Sequence, residues 1–596
     1  MKKLLLVILI AVVQIAIAGS KLSPDLENSP GMNTPNSGGT KITNTPNSGG
    51  TNNIDVIVQF THPPTKDDLK LLGPYGQMKK QLDIVHGVHV SLSPSDIKAL
   101  KSNPSIKYVT PANRSLRGSL DITTQTVNAD HAWQFGWTGT GVGVAVIDSG
   151  IASRHDLTTS NGVTSRVVYR QSFVSSQTAP DDYGHGTHVA GQTAPDDYGH
   201  GTHVAGIVGS NGLDSTGVGF TRTFKGVAPN VNLIDLRVLD ANGGGNDSDV
   251  IDAIQTAISL KGQYNIRVIN LSLGRPVFES YTTDPLCQAV EAAWNAGIVV
   301  VVAAGNYGRD NSLRTLGYGT ISAPGNDPYV ITVGATNAKG TAYTWDDAVA
   351  SYSSKGPTAI DHIVKPDIVA PGNNVVSVLA STSSTLYMAS SRMRVSNASY
   401  ETRNAPQGAS PNYLRLSGTS MATPVVSGAA ALLLQKTPSL TPDQVKARLM
   451  KTAAKILPVY STGTDSITLV AFYGQSDIFT VGAGYLDVNA ALANTDLVTR
   501  PALSPTATYN SASRHVTIVR NFSVVWGDSV VWGDSMVWGA VVFNGRLLSG
   551  ASVVWGDSVV WGDSTAGGFS VVWGDTLGGL AGSLTASSSD DGDLDQ

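Results

Sequence analysis

Residues 249–306 read DVIDAIQTAISLKGQYNIRVINLSLGRPVFESYTTDPLCQAVEAAWNAGIVVVVAAGN, and this stretch decides the fold. DVIDAIQTAISLKG (249–262) spaces its apolar residues at helical intervals, and IRVINLSLG (266–274) follows as a short apolar run. DPLCQAVEAAWNAG (284–297) returns to the helical pattern, and GIVVVVAAGN (297–306) is a second apolar run. Continuous apolar strands alternating with amphipathic helices are buried on both faces, as in a parallel sheet covered by helices on each side. Outward from this stretch, GVGVAVID (141–148), NLIDLRVLD (232–240) and YVITVGAT (329–336) repeat the strand pattern. The alternation runs from about 128 to 494 and predicts an α/β domain with a doubly wound, mainly parallel sheet. Ligands of such sheets bind beyond the carboxyl ends of the strands. Asp148, Gly274 and Asn306 each close a strand, so they are expected to share one site.

The flanks differ in texture. Lys2 and Lys3 precede the apolar run Leu4 to Val13, and Ala16-Ile17-Ala18 offers a small-x-small cleavage site, so 1–18 reads as a signal peptide. Residues 19–53 contain NTPNSGGT twice, at 33–40 and 44–51, and read as a low-complexity linker that cannot bury a core. IDVIVQF (54–60), GVHVSLS (87–93) and IKYVTP (106–111) read as strands, and SPSDIKALKSNP (93–104) starts a capped helix. A small α+β domain is therefore expected over 54–112, placed where a pro-region would stand. Beyond 500, SVVWGD and its variants recur within 517–576, with tryptophans at 526, 532, 538, 555, 561 and 573. An even period keeps equivalent side chains on one face of an extended chain, which predicts a β-rich repeat. The acidic end, 577–596, is expected to be flexible.

Composition excludes several functions. A net charge of −5 without a basic run argues against nucleic acid as a partner. The single cysteine, Cys287, rules out an internal disulfide framework and reads as a buried small hydrophobe. No segment after the leader is apolar for long enough to predict a membrane helix.

The chemistry lies in four short motifs. Gly418-Thr419-Ser420-Met421-Ala422-Thr423-Pro424 opens an apolar helix, which sets a serine hydroxyl at the positive end of the helix dipole beside unsatisfied backbone N–H groups. A nucleophile there needs a base. Tyr-Gly-His-Gly-Thr-His-Val-Ala-Gly supplies His200 and His203, and Val-Ile-Asp-Ser-Gly supplies Asp148. With Ala-Ala-Gly-Asn ending at Asn306, the set resembles the subtilisin-like serine proteases, in that family's order Asp, His, Asn, Ser, over about 54–494.

The resemblance implies a secreted serine endopeptidase made as an autoprocessed zymogen. It implies that Ser420 is the nucleophile, the histidine its base, Asp148 the carboxylate that orients the imidazole, and Asn306 an oxyanion-hole donor. Ser272, Leu273 and Gly274 match a strand edge that pairs with peptide, and Ala303, Ala304 and Gly305 match the other wall of a specificity pocket. The chemistry calls for no cofactor; structural calcium is possible in the family, and no metal ligand is assigned. The partners implied are peptide or protein substrates and the chain's own pro-region as inhibitor, with the chain a monomer.

QTAPDDYGHGTHVAG stands at 177–191 and again at 192–206, so His185 and His200 both match the catalytic position. After His200 the chain continues VAGIVGSNG as a helix would; after His185 it continues VAGQTAPDD, where Pro195 stops a helix. His200 is therefore expected to be the base, with His185 the alternative. Four histidines (185, 188, 200, 203) and four aspartates (181, 182, 196, 197) in the copies also allow a metal site. A further alternative is a catalytically impaired binding or assembly protein.

Overall fold

The structure, a computed structural model, describes residues 53–519 apart from 73–75, 83–85, 112–121, 175–194, 313–314, 403–406 and 511–514. Elsewhere it describes 21, 22, 26, 537–538, 542–543, 546–547, 553–554, 584–586 and 593. The expected signal peptide, the first copy of the duplication with His185 and His188, and most of the tryptophan repeat lie outside the described residues. The chain divides into two units, Met1–Arg117 and Gly118–Gln596.

In the first unit, β1 (Ile54–Phe60), α1 (Lys66–Leu72), β2 (Gly76–Leu82), β3 (Gly87–Leu92), α2 (Pro94–Leu100) and β4 (Ile106–Pro111) follow in order. The strands form an antiparallel sheet in the order β2-β3-β1-β4. Alternation along β1 buries Val56, Val58 and Phe60, and α2 adds Ile97 and Leu100 to the same core. The Ser93 hydroxyl accepts the Asp96 N–H at 3.2 Å, the expected N-cap. The linker reading needs correction at its start. Leu22 and Leu26 are buried in this core, and the Val109 N–H donates to the Lys21 carbonyl at 2.8 Å. Two apolar side chains amid polar sequence found a surface to cover.

In the second unit, β5 (Gly143–Asp148), β6 (Val167–Ser172), α3 (His200–Gly209) and β7 (Asn232–Arg237) come first. They are followed by β8 (Gly244–Gly245), α4 (Asp247–Tyr264), β9 (Ile266–Leu271), β10 (Leu273–Gly274), α5 (Pro285–Asn295) and β11 (Val299–Ala303). β12 (Ile331–Asn337), β13 (Ala348–Val349), β14 (Ile368–Pro371) and α6 (Thr419–Lys436) complete the frame. The sheet order is β13-β12-β11-β9-β5-β7-β6, with β14 also on β12; only β13 runs antiparallel. Every residue of β5, β11 and β12 is buried, as their largely apolar sequences lead one to expect for a sheet covered on both faces. α4 and α5 pack on each other, as do α3 and α6, which gives the doubly wound α/β fold. β6 is an edge strand, VVYRQS, mostly half-exposed, and so carries no apolar run from which to predict it. Among the described residues no helix is long and apolar enough to cross a membrane.

Of the tail expected to be flexible, Leu584–Ala586 forms a strand, β15, between β8 and β10, and Asp593 is buried. Acidic composition predicts solvation only where no cation or donor array is on offer, and here one is.

Candidate active site

Asp148 is the last residue of β5, and its carboxylate is held by the chain immediately after it: the Ser149 N–H donates to Asp148 Oδ1 at 2.8 Å. His200 is the first residue of α3, and its Nδ1 donates to the same Oδ1 at 2.8 Å, with both side chains buried. That bond fixes the tautomer and leaves Nε2 as the basic nitrogen. His200 Nε2 is buried and has no hydrogen-bond partner among the described residues. The two elements approach closely because Gly201 lacks a side chain. A Cβ there would meet the Gly150 carbonyl at 2.2 Å and Asp148 Cβ at 3.2 Å.

The start of α3 is organised by Asp196, in the second copy of the duplication. Its carboxylate accepts the Gly199 N–H at 2.7 Å, the Thr202 N–H at 2.7 Å and the Ser149 hydroxyl at 2.7 Å. Ser149 Oγ in turn accepts the Gly201 N–H at 2.9 Å. Helix-start donors that the helix cannot satisfy are thus tied to the Asp-Ser-Gly turn. Burial raises the Asp196 pKa above the usual carboxylate range despite these bonds. His203, one turn on, places Nε2 at 3.2 Å from the Val375 carbonyl and 3.1 Å from the Leu414 carbonyl. Burial, and after it the neighbouring His200, push its pKa down to about 3, so this imidazole is neutral. Asp196 thus holds two backbone N–H groups and one hydroxyl, while His203 turns Nε2 to two backbone carbonyls.

Ser420 is the second residue of α6, behind Gly418 and Thr419. Its hydroxyl donates to the Ser272 carbonyl at 2.9 Å, and the Ser272 hydroxyl donates back to the Ser420 carbonyl at 2.8 Å. Asn270 Nδ2 donates to Ser272 Oγ at 2.9 Å, and Ser427 Oγ donates to Asn270 Oδ1 at 2.8 Å, so the end of β9 grips the first turns of α6. Asn306 Oδ1 accepts both the Thr419 N–H at 2.9 Å and the Thr419 hydroxyl at 3.0 Å. Occupying the carbonyl oxygen in this way turns the Asn306 NH₂ end away from Thr419 as the donor group.

The expected walls are also brought in. Leu273–Gly274 continues from Ser272 as β10, and Ala303 ends β11, with Ala304 buried behind it. Gly305 has φ +106°, and a Cβ there would meet Ser322 Oγ at 2.4 Å. Ser322 is shared by both walls: its N–H donates to the Ala304 carbonyl at 2.9 Å, and its Cβ lies 3.0 Å from where a Gly274 Cβ would be. Cys287 is buried beside Asn326 Oδ1 at 3.4 Å, and burial raises its thiol pKa, as its apolar reading anticipates. Asn270 and Ser427 were not singled out from sequence, and Asp196 only as a possible metal ligand, not as the residue that ties down the helix start. Asp196 had a signal, an acidic residue just ahead of a helix start; the Asn270–Ser427 contact spans 157 residues and had none.

A buried histidine–aspartate pair at one strand end and a serine at a helix start, on a doubly wound parallel sheet, are the groups that a serine hydrolase uses. Residues 139–484 match the model of the subtilase family, Peptidase_S8, more than half of the chain, and the chain belongs to that family. It is a subtilisin-like serine endopeptidase, a hydrolase acting on peptide bonds. It is similar to the serine protease AprX of Bacillus subtilis, 36% identical over 414 residues, covering 66% of this chain and 82% of the relative. It is also similar to subtilisin E of Bacillus subtilis, 35% identical over 383 residues, covering 63% of this chain and 78% of the relative. Subtilisin DY of Bacillus licheniformis is 34% identical over 347 residues, 58% of this chain and 95% of the relative.

Proposed function

We propose that the chain acts as a secreted endopeptidase, made as a zymogen, with Asp148, His200 and Ser420 as its triad. The observation that carries this reading is the buried 2.8 Å contact between His200 Nδ1 and Asp148 Oδ1, which leaves Nε2 as the acceptor nitrogen, with no hydrogen-bond partner among the described residues. Ser420 Oγ swings from the Ser272 carbonyl towards Nε2, gives up its proton and attacks the scissile carbonyl carbon. The oxyanion is met by the Ser420 N–H at the helix start and by the Asn306 NH₂. Collapse returns the proton to the departing amine and leaves an acyl-enzyme; water, deprotonated by His200, releases the acid and restores Ser420. Asp148 orients the imidazole and stabilises the imidazolium. Nucleophile, base and oxyanion donors all come from the chain, so the chemistry calls for no cofactor.

Peptide pairs with Leu273–Gly274 as an added strand, and its side chain enters the space walled by Ala303, Ala304 and Gly305. The 54–112 domain serves as inhibitor and is cut away between Asn113 and Asp130. The lysine-led apolar leader directs export. A fluorophosphonate probe tests the core of this reading. It should label Ser420 in the wild type and nothing in Ser420→Ala; labelling elsewhere, or none, overturns the assignment.

A further inference from the structure

β8 and β10 are two-residue strands that, among the described residues, are joined through a third, β15, antiparallel to both. Ala586 is in register with Leu273, Thr585 with Gly274 and also with Gly244, and Leu584 with Gly245. β10 begins one residue after Ser272, whose carbonyl accepts the Ser420 hydroxyl. From Leu584 to Ala586 the strand therefore runs from Gly274 to Leu273, towards the nucleophile. An extended segment held on both edges and running carboxyl-first towards Ser420 lies as the acyl half of a substrate would.

Asp593, seven residues beyond Ala586, is 1% exposed. Its Oδ1 accepts from Arg309 Nη2 at 3.0 Å and from Ser351 Oγ at 2.5 Å, and its Oδ2 accepts the Ser351 N–H at 2.6 Å. Its backbone is read as well. Asp593 N donates to Asn373 Oδ1 at 2.8 Å, and Asn373 Nδ2 donates to the Asp593 carbonyl at 2.8 Å. Arg309 is fixed in turn by Asp465 and by stacking on Tyr352 and Phe472. A buried carboxylate with a guanidinium and two further donors is a specific socket, unlike the loose pairing of a surface acid.

We propose that the C-terminal segment is a built-in ligand of the chain's own substrate groove: Asp593 latches into the Arg309–Ser351–Asn373 socket, and Leu584–Ala586 fills the groove in competition with substrate. The proposal rests on the reading of Leu273–Gly274 as substrate edge. Three residues of strand bind weakly, but tethering converts the event to an intramolecular one at high effective concentration. The socket supplies the second tether.

The test uses full-length chains carrying Asp593→Ala or, separately, Thr585→Pro, which removes the N–H of the residue paired on both sides. With a chromogenic peptide substrate, KM should fall roughly tenfold in both variants while kcat holds. A synthetic peptide of residues 580–596 should inhibit the Asp593→Ala chain competitively, and the same peptide with Asp593→Ala should not. Unchanged KM in both variants, or a peptide without effect, overturns the proposal. Hydrogen exchange in full-length Ser420→Ala reads the groove without turnover: amides at 244–245 and 273–274 should exchange faster once Asp593→Ala is added. Faster exchange with no hydrolysis by the Ser420 chains refutes the peptidase reading alone. Hydrolysis with identical exchange and KM refutes the tail alone.

Discussion

The Ser149 hydroxyl donates to Asp196 Oδ1 at 2.7 Å, which binds the residue after Asp148 to the residue four before His200. The contact between His200 and Asp148 is thus braced by a residue outside the pair. Asp196→Ala would leave the Ser149 hydroxyl and the Gly199 and Thr202 N–H groups buried without an acceptor. The expected cost is roughly 2–4 kcal/mol, measured by urea unfolding in a Ser420→Ala background. In the active chain kcat should drop while KM holds. Asp196→Asn, which keeps an acceptor oxygen, should recover part of both.

His200→Ala should lower kcat by a factor on the order of 10⁶, a scale carried over from the triad histidine of subtilisin. His185→Ala should leave turnover close to wild type. The reverse result would place the base in the first copy, and loss in both would give the duplicated segment a part in shaping the cleft.

Asn306 offers a finer test, because its two ends do different things. Asn306→Asp keeps an oxygen for Thr419 and removes the donor. The kcat should fall roughly 10²–10³-fold with little change in KM, the cost known for the corresponding subtilisin amide. Wild-type turnover in this variant would remove the amide from the oxyanion hole.

His203 makes the fold sensitive to acid. Its folded pKa, about 3, lies below the ordinary 6.5, so the unfolded chain takes up the proton first as pH falls. Its contribution is fully present above pH 6.5 and is lost progressively from there down to about pH 3. His203→Gln, which keeps a donor for the Val375 and Leu414 carbonyls, should be less stable than wild type at pH 8. That gap should narrow by roughly 1–3 kcal/mol at pH 4.5. Chemical denaturation of Ser420→Ala chains at the two pH values reads it directly, and a gap independent of pH would refute it.

The 54–112 domain is expected to inhibit in trans. Added to the mature enzyme at micromolar concentration, it should suppress peptide hydrolysis; no suppression would leave it an accessory domain.

The motif order Asp148, His200, Asn306, Ser420 was legible in the sequence, as were the apolar runs that bring Asp148 to a strand end and Asn306 just past one. So were the boundaries of the main helices: α4 was expected over 249–262 and spans Asp247–Tyr264. Such features are local, since periodicity and capping depend on a dozen neighbouring residues.

The edge strand β6, with its half-exposed polar residues, carried no such signal. Two copies of QTAPDDYGHGTHVAG are the same object to any local rule, and only the chain beyond them favoured His200. Tertiary structure joined His200 to Asp148, because one acidic cap, Asp196, had to meet Ser149 across 47 residues. It also placed Asp593 against Ser351, 242 residues away, where composition alone assigned a solvated tail. Sequence by itself determined what each element is. Which elements meet was decided by buried donors and acceptors that must find partners, wherever along the chain those partners lie.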